Sequence, residues 1–515
     1  MRLSLQIAGT LVLIALGTLP GLCQTPGSAG SSGHSVANQL PLSDGAAQWG
    51  SAQASQTVTS NGVSTVSSSV QVTGNLAGSI PAKDVPAGPI RLTVAEAVRR
   101  AISSNLGSIS ASNAQSAARA ERLRSLGNLL PSISVDASET VTQVNLAAYG
   151  LKLQTPPGIN FSVPTIVGPY SYSQLQGALS QSVFDLVQKR NYQASKSAEQ
   201  AAAFNFKDTR EALILAVAGT YLQTVALEAR LQSQNAQVTN AQAVYQQAST
   251  RKAAGTNAKI DVIRSLVELQ TQQQRLQALQ GDLRKQKLVL ARLVGLPLDR
   301  ELDLTESLTG NQTATPEPAS TIELAMVNRA DLKALTAQVR TAELAVSATR
   351  AERYPTATVN GNYGVIGANP AATHGVFAVT AGVSMNVWDG GRIKADIQQA
   401  ETTLRQRRAE LDEYRSRIES EVRTALIELE TAAGQLRLAA TNRDYANETL
   451  TEARDRFGAG VATTVEVVQA QEQVSSAEND YVSGLFSFNL ARLTLARATG
   501  QAEASLPDFL KRDNP

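Results

Sequence analysis

Between Arg392 and Phe457, small or apolar side chains recur in steps of three and four. The series runs from Ile393, Ile397, Ala400 and Leu404 through Leu411, Tyr414, Ile418, Val422, Ala425, Leu429, Ala432, Leu436 and Ala439 to Ala446, Leu450, Ala453 and Phe457. That is a helical period held end to end without a proline, with Gly434 the only interior glycine before Phe457. Only Arg407 and Arg443 stand where the stripe calls for an apolar residue. The pattern predicts one helix between Gly391 and Gly460, roughly 65 residues and about 97 Å long at ~1.5 Å per residue. No ordinary globular domain is that long. A second long helix is expected from about Leu186 to Lys252, and return helices from about Asn257 to Leu293 and up to about Thr499.

Elsewhere the period drops to two. In Val376–Trp388 the odd positions are Phe377, Val379, Ala381, Val383, Met385 and Val387, while the even ones include Thr380, Gly382, Ser384 and Asn386. Tyr172–Phe184 sets Leu175, Leu179 and Val183 against Gln174, Gln176, Ser180 and Ser182. Ser132–Leu146 alternates through Ile133, Val135 and Ala137 and slips in phase near Glu139, and Ala357–Ile366 is a weaker, glycine-rich fourth run. Strict alternation gives one apolar and one polar face, and segments of about 9–11 residues of this kind are the mark of a transmembrane β-barrel. A small soluble hairpin packed on helices would read similarly. Four strands cannot close a membrane barrel, whose smallest single-chain forms use about eight, and open edges are forbidden in lipid. Several copies must therefore contribute.

The body of the chain is written twice. Ser180–Asp185 matches Ser384–Asp389, Arg251-Lys-Ala-Ala-Gly255 matches Arg456-Phe-Gly-Ala-Gly460, Asp261-Val262 matches Glu466-Val467, and Ala291–Gly295 matches Ala496–Gly500. The offset holds at about 204–205 residues, as in a tandem duplication of one α-β-β-α unit. Leu130-Pro131 matches Tyr354-Pro355 with a larger offset, which places an insertion in the first copy within Ala147–Tyr170, expected to be a loop. Copy one opens at Leu92-Thr93, where Thr93 and Glu96 make a capping-box pattern, and its helical pattern runs to Leu129.

The ends complete the organisation. Residues 1–23 read as a secretory signal, with Arg2 ahead of the apolar run Ile7–Leu16 and a cut before Gln24; Cys23 as a lipidated cysteine is the alternative. Residues 24–89, rich in Ser, Gly and Thr, are expected to be disordered, although Val63–Val72 carries scattered valines fit for a strand. The expected domains are then repeat one over 90–307, a linker over 308–319 with Pro316 and Pro318, repeat two over 320–501 and a tail over 502–515. No later stretch is expected to reach the roughly 20 apolar residues of a spanning helix. A net charge of +2 argues against a nucleic-acid partner; one Cys and two His leave no disulfide framework and little for a metal or cofactor. No nucleophile elbow, P-loop or zincin motif is present, so no enzyme is expected.

Taken together, Leu92 to Gly500 resembles the outer-membrane efflux protein family, the TolC-like channels. The most specific piece is Arg456-Phe457-Gly-Ala-Gly460-Val-Ala-Thr-Thr-Val465-Glu466-Val467-Val-Gln-Ala470, supported by the openings before Asn105 and Asn328 and by the junction Trp388–Arg392. The resemblance implies a mainly α fold with a small transmembrane β part. It also implies a homotrimer sharing a 12-stranded β-barrel in the outer-membrane lipid and an α-helical barrel through the periplasm. Its implied partners are a periplasmic adaptor and an inner-membrane transporter, in tripartite efflux or type I secretion. A periplasmic adaptor or coiled-coil scaffold is the rival reading; it would need neither the strand pairs nor the duplication.

Individual residues carry ordinary roles first. Gly255 and Gly460 suit helix C-caps, where glycine permits positive φ; the resemblance adds that these turns, with Arg456 and Phe457, form the periplasmic tip that meets the adaptor. Glu466 and Asp261 suit first-turn acids complementing a helix dipole. By resemblance Glu466 is also a candidate lining of the periplasmic aperture, with Asp261 beside it, whereas Gln469 stands where family channels can carry a second acid. Asp185 and Asp389 suit N-caps. Arg407 and Arg443 suit either the bore or snorkelling from a helix seam.

Overall fold

The computed structural model describes residues 52–58, 66–82, 88–149, 165–256, 258–310, 316–369 and 371–509, all within the unit Ala46–Pro515. The signal segment, Cys23, residues 24–51 and most of the expected loop in Ala147–Tyr170 lie outside the described residues.

Two helical hairpins dominate. The first pairs α3 (Leu186–Ala253, 68 residues) with α4 (Lys259–Val294), the second α7 (Arg392–Gly458, 67 residues) with α8 (Thr464–Ala498). The long stripe on α7 does what its period implies: Ile418, Val422, Ala425, Leu429, Leu436, Leu450 and Phe457 are buried. Its two interruptions are mostly covered. Arg443 reaches across to stack on Tyr481 of α8 at 4.1 Å, while Arg407 pairs with Glu410 on its own helix at 2.7 Å. Asp185 caps α3 by accepting from Gln188 N at 2.9 Å, and Asp389 accepts from Gly391 N and Ile393 N ahead of α7. Those two amide bonds hold the Asp389 carboxyl below the usual range.

Shorter helices precede each strand pair: α1 (Val94–Ser104) and α2 (Leu106–Gly127), then α5 (Pro318–Asn328) and α6 (Ala330–Ala351). The continuous helix expected up to Leu129 is instead broken at Asn105. This fully buried side chain donates to Leu76 O at 2.8 Å and accepts from Gly107 N at 2.9 Å, a bond pair that a straight helix would forfeit. The Thr93–Glu96 box forms by half, Thr93 accepting from Glu96 N while Glu96 turns to Arg99 and Arg100. The order helix–helix–strand–strand–long helix–return helix thus occurs twice.

The four strands of the two copies join one antiparallel sheet in the order β4 (Ser132–Asn145), β5 (Ile166–Phe184), β7 (Thr356–Gly367), β8 (Thr373–Ser384). Two expectations change. The register slips between Thr142 and Val144, not at Glu139, which pairs with Ser173 in phase. The last strand ends at Ser384 rather than Trp388, because its partner begins at Thr356 and the preceding Pro355 has no N–H to offer.

Several features depart from the expectations or add to them. Residues 52–58 (β1) and 66–72 (β2) form an antiparallel hairpin inside the stretch read as disordered, its second strand falling within the strand-fit run Val63–Val72 and its first supplying the partner; Val70, Val72 and the buried Leu76 bring their apolar surface to the helical core. A parallel pair joins β3 (Ile90–Leu92) to β6 (Leu302–Leu304) beside that core, and Tyr221 Oη donates to Leu92 O at 2.9 Å. The core centre on α3, Leu213 to Tyr221, is buried all round. α3 therefore does contain a window apolar enough to cross a membrane, two-thirds of it buried, contrary to the expectation that none would; here the apolar run fills a protein core. The tail opens with a short helix, α9 (Ala502–Phe509), docked through the buried Ala502.

Candidate functional site

Cross-strand registers show what the alternation builds. Ile133 lies opposite Leu179, Ala137 opposite Leu175, Leu175 opposite Val365, Tyr363 opposite Phe377 and Ala357 opposite Val383, all on one face. The other face carries Ser132 opposite Ser180, Ser180 opposite Asn360 and Asn360 opposite Thr380, with Ser180 Oγ donating to Asn360 Oδ1 at 2.7 Å. The apolar face has no cover: Ile133 is 76%, Phe377 78%, Val379 71% and Val383 75% exposed. Burying one such side chain is worth about 1.5–3 kcal/mol, so leaving a whole face in water would be a heavy cost. Among the described residues, the outer edges of β4 and β8 carry no further strand.

At the far end of the hairpins the two turns are built alike. Gly255 adopts φ +74°, with Gly255 N donating to Lys252 O and Thr256 N to Arg251 O. Gly460 adopts φ +80°, with Gly460 N donating to Phe457 O and Val461 N to Arg456 O. Both are Schellman closures that need a left-handed residue. Nothing lies within 4 Å of a Cβ built at either glycine, so backbone conformation and not space requires it.

The return helices start differently. Thr463 and Glu466 form a complete capping box on α8, and Arg456 reaches Glu466 at 3.6 Å. α4 starts at Ala258 without a side-chain cap, and Asp261 lies 3.9 Å from Arg264. Gln469 is exposed.

One residue draws the two turns together. Arg251, at the end of α3, donates to Phe457 O at 2.9 Å and Gly458 O at 3.1 Å and stacks over the Phe457 ring at 4.4 Å. Phe457 itself is buried in a small tip core with Val244, Leu450, Val467 and Val474. Gly460, Arg456, Phe457 and Glu466 thus share one end of the second hairpin, clamped to the first by Arg251. Sequence reading had quoted Arg251 only as a repeat match; a cation in the last helical turn, suited to free carbonyls, was the available signal.

A second cluster went unread. Arg329, 4% exposed, holds Asp331 through Nε and Nη2, at 3.1 and 2.6 Å, and also bonds Glu421. Tyr414 Oη donates to Asp331 at 2.9 Å. Arg497 donates to Asp208 and lies 3.8 Å from Glu211, and Arg210 pairs with Glu503. Burial alone would raise Asp331, but the hydrogen bonds and charge of Arg329 hold it below the usual carboxylate range. Burial raises the Tyr414 hydroxyl. Sequence showed Arg497 as the end of a repeat match, and nothing in a helical period says that charges 289 residues apart will meet. Among the described residues no His, Cys, Asp or Glu side chains gather in a group that could hold a metal ion.

Comparison with known proteins agrees with this layout. Residues 321–501 match the family model of the outer membrane efflux protein. The chain is 25% identical over 295 residues to the pyoverdine export outer membrane protein OpmQ of Pseudomonas putida, covering 55% of this chain and 61% of that protein. It is 23% identical over 338 residues to the outer membrane efflux protein BepC of Brucella suis, covering 63% and 72%. The matches to OpmQ of Pseudomonas putida and Pseudomonas aeruginosa span 61% and 63% of those proteins, less than two thirds of either. Among solved structures, the fold is similar to the outer membrane protein VceC of Vibrio cholerae, with TM-score 0.66, 18% identity and 79% and 96% of the two chains covered. It is also similar to the open state of the outer membrane channel MtrE of Neisseria gonorrhoeae, with TM-score 0.67, 15% identity and 82% and 95% covered.

Proposed function

We propose, on the premise that the chain carries the outer membrane efflux protein domain over residues 321–501, that it is the outer-membrane exit channel of a tripartite efflux or type I secretion system. The observation that carries this reading is the uncovered apolar face of a four-stranded sheet with two open edges, standing on helices long enough to cross the periplasm. In lipid that face becomes favourable, and the open edges become the joints between copies.

Three copies would supply twelve strands, β8 of each pairing with β4 of the next. Apolar side chains left exposed on α4 (Ile263, Val267, Val289) and α7 (Ile427, Leu438, Tyr445) suit helix seams between the same neighbours. The twice-occurring element order reads as a duplicated repeat, with repeats over 90–307 and 320–501. The tip around Gly255, Gly460, Arg456 and Phe457 is the proposed docking surface for a periplasmic adaptor, itself carried by an inner-membrane transporter. Three copies of Glu466, with Asp261 and Gln469 nearby on their helices, are the proposed lining of the aperture, where a carboxylate ring would favour cations.

Mass measurement of the full chain in detergent tests the reading, alongside Val379→Arg. A charge at the lipid face near the midplane costs about 2–4 kcal/mol, so this variant should insert poorly while Thr380→Arg, on the polar face, inserts. A stable monomer in detergent-free buffer, or equal tolerance of both arginines, refutes the channel.

A further inference from the structure

Where α3, α6, α7, α8 and α9 meet, charged side chains crowd together. Arg329, Asp331, Glu211 and Arg497 are the most covered, Asp208 and Arg210 are about a third exposed, and Glu421 and Glu503 are more open. Arg329 is taken by Asp331 and Glu421, and Asp331 accepts a further bond from Tyr414. Arg497 donates to Asp208. Glu211 has only a long ion-pair contact with the same Arg497. Its side chain keeps 13% of its surface, and its Oε2 lies 3.8 Å from Arg497, beyond hydrogen-bond reach. That oxygen is buried without a hydrogen-bond partner among the described residues.

An ionised acid so placed costs far more than a neutral one, because it adds charge to a site whose two guanidiniums are already engaged. A neutral acid carries no such charge and supplies an O–H donor that a carboxylate lacks.

We propose that Glu211 is a proton-operated latch: neutral, it lets α3 close on α8 and α9; ionised, it repels Asp208 and loosens that contact. Burial pushes the Glu211 carboxyl up to about 7 and raises Asp208 beside it; Arg497 opposes the Glu211 shift, and the charges of Asp208, Asp331 and Glu503 add to it. The ordinary value is 4.5, so the folded chain retains a proton that the unfolded chain has released between pH 4.5 and about 7. Stability from this site is therefore fully present below 4.5 and is lost as pH rises towards about 7. The latch stands whether or not the chain forms a channel, since every group in it belongs to one copy.

The test compares the full chain in detergent with Glu211→Gln at about pH 5 and about pH 8. The readout is amide exchange in the last turns of α8, residues 490–498, corrected for the intrinsic pH effect. Wild type should open at least severalfold more at the higher pH, and Glu211→Gln should show no such change. An unchanged pH dependence in Glu211→Gln, or none in wild type, overturns the proposal. Should that variant fail to fold, infrared spectra of wild type decide: a buried neutral carboxyl stretch must be present in the acid sample and vanish through neutrality, and its absence in acid overturns the latch.

Discussion

Gly219 lies mid-helix on α3, facing the hairpin of β1 and β2. A Cβ built there would stand 2.6 Å from Val70 Cγ2 and 3.3 Å from Cγ1, but 3.4 Å from Val70 Cβ, an ordinary contact. Two opposed effects follow for Gly219→Ala. Helix propensity favours alanine by about 0.8–1.0 kcal/mol. Forcing a methyl into an occupied contact costs about 1–3 kcal/mol. With Val70 in place the substitution should come out between neutral and ~2 kcal/mol destabilising to the folded chain. Val70→Ala removes both Cγ atoms and hence the clash, at a loss of roughly 1 kcal/mol of half-buried apolar surface. In that background Gly219→Ala should be stabilising by about 1 kcal/mol. The sign thus reverses between backgrounds, with a coupling of about 1–3 kcal/mol. Global unfolding of the full chain in detergent, measured in the four variants, reports both terms. Additive effects would refute the contact, and Gly219→Ala stabilising in both backgrounds would mean that the hairpin does not dock there.

Two further outcomes concern the tip. Gly460→Val should cost on the order of 1–2 kcal/mol, because a β-branched residue tolerates the left-handed region poorly. Trimer yield should survive while adaptor capture falls; wild-type capture by an intact trimer would leave Gly460 as a helix cap only. Arg251→Ala should remove the stacking on Phe457 and the bonds to its carbonyl and that of Gly458, together worth about 1–2 kcal/mol. Exchange at the amides of residues 452–460 should accelerate while that of 411–429 does not, and uniform protection throughout would dismiss the clamp.

Much of this architecture was legible in the chain. The helix over 392–458 was readable to within two residues at each end because its stripe had to face a seam along its whole length, and a period so long has few alternatives. The strands were readable wherever both faces differed in polarity, as in Tyr172–Phe184, since alternation there is forced by lipid or core on one side only. The tip glycines were readable because positive φ leaves a residue-type signature. What could not be read had no local cause. Asn105 breaks its helix to bond Leu76 O, and Ser384 ends its strand because Pro355 lies opposite the next position. For residues 52–58 and 66–72 the valines of the second run suggested a strand but not its partner or its seat, since Val70 and Val72 meet a core supplied by α3 and α8.

The chain's own periodicity therefore determined the element types, the doubled order and the two-faced strands, since each follows from which side chains must leave water along a single segment. Tertiary structure alone decided which charges share one burial site. Arg329, Asp331, Asp208, Glu211 and Arg497 come from three distant helices, and each would pass for a solvated surface charge in its own segment. Only when those helices close together are they drawn out of water, and only then does burial favour a proton on Glu211.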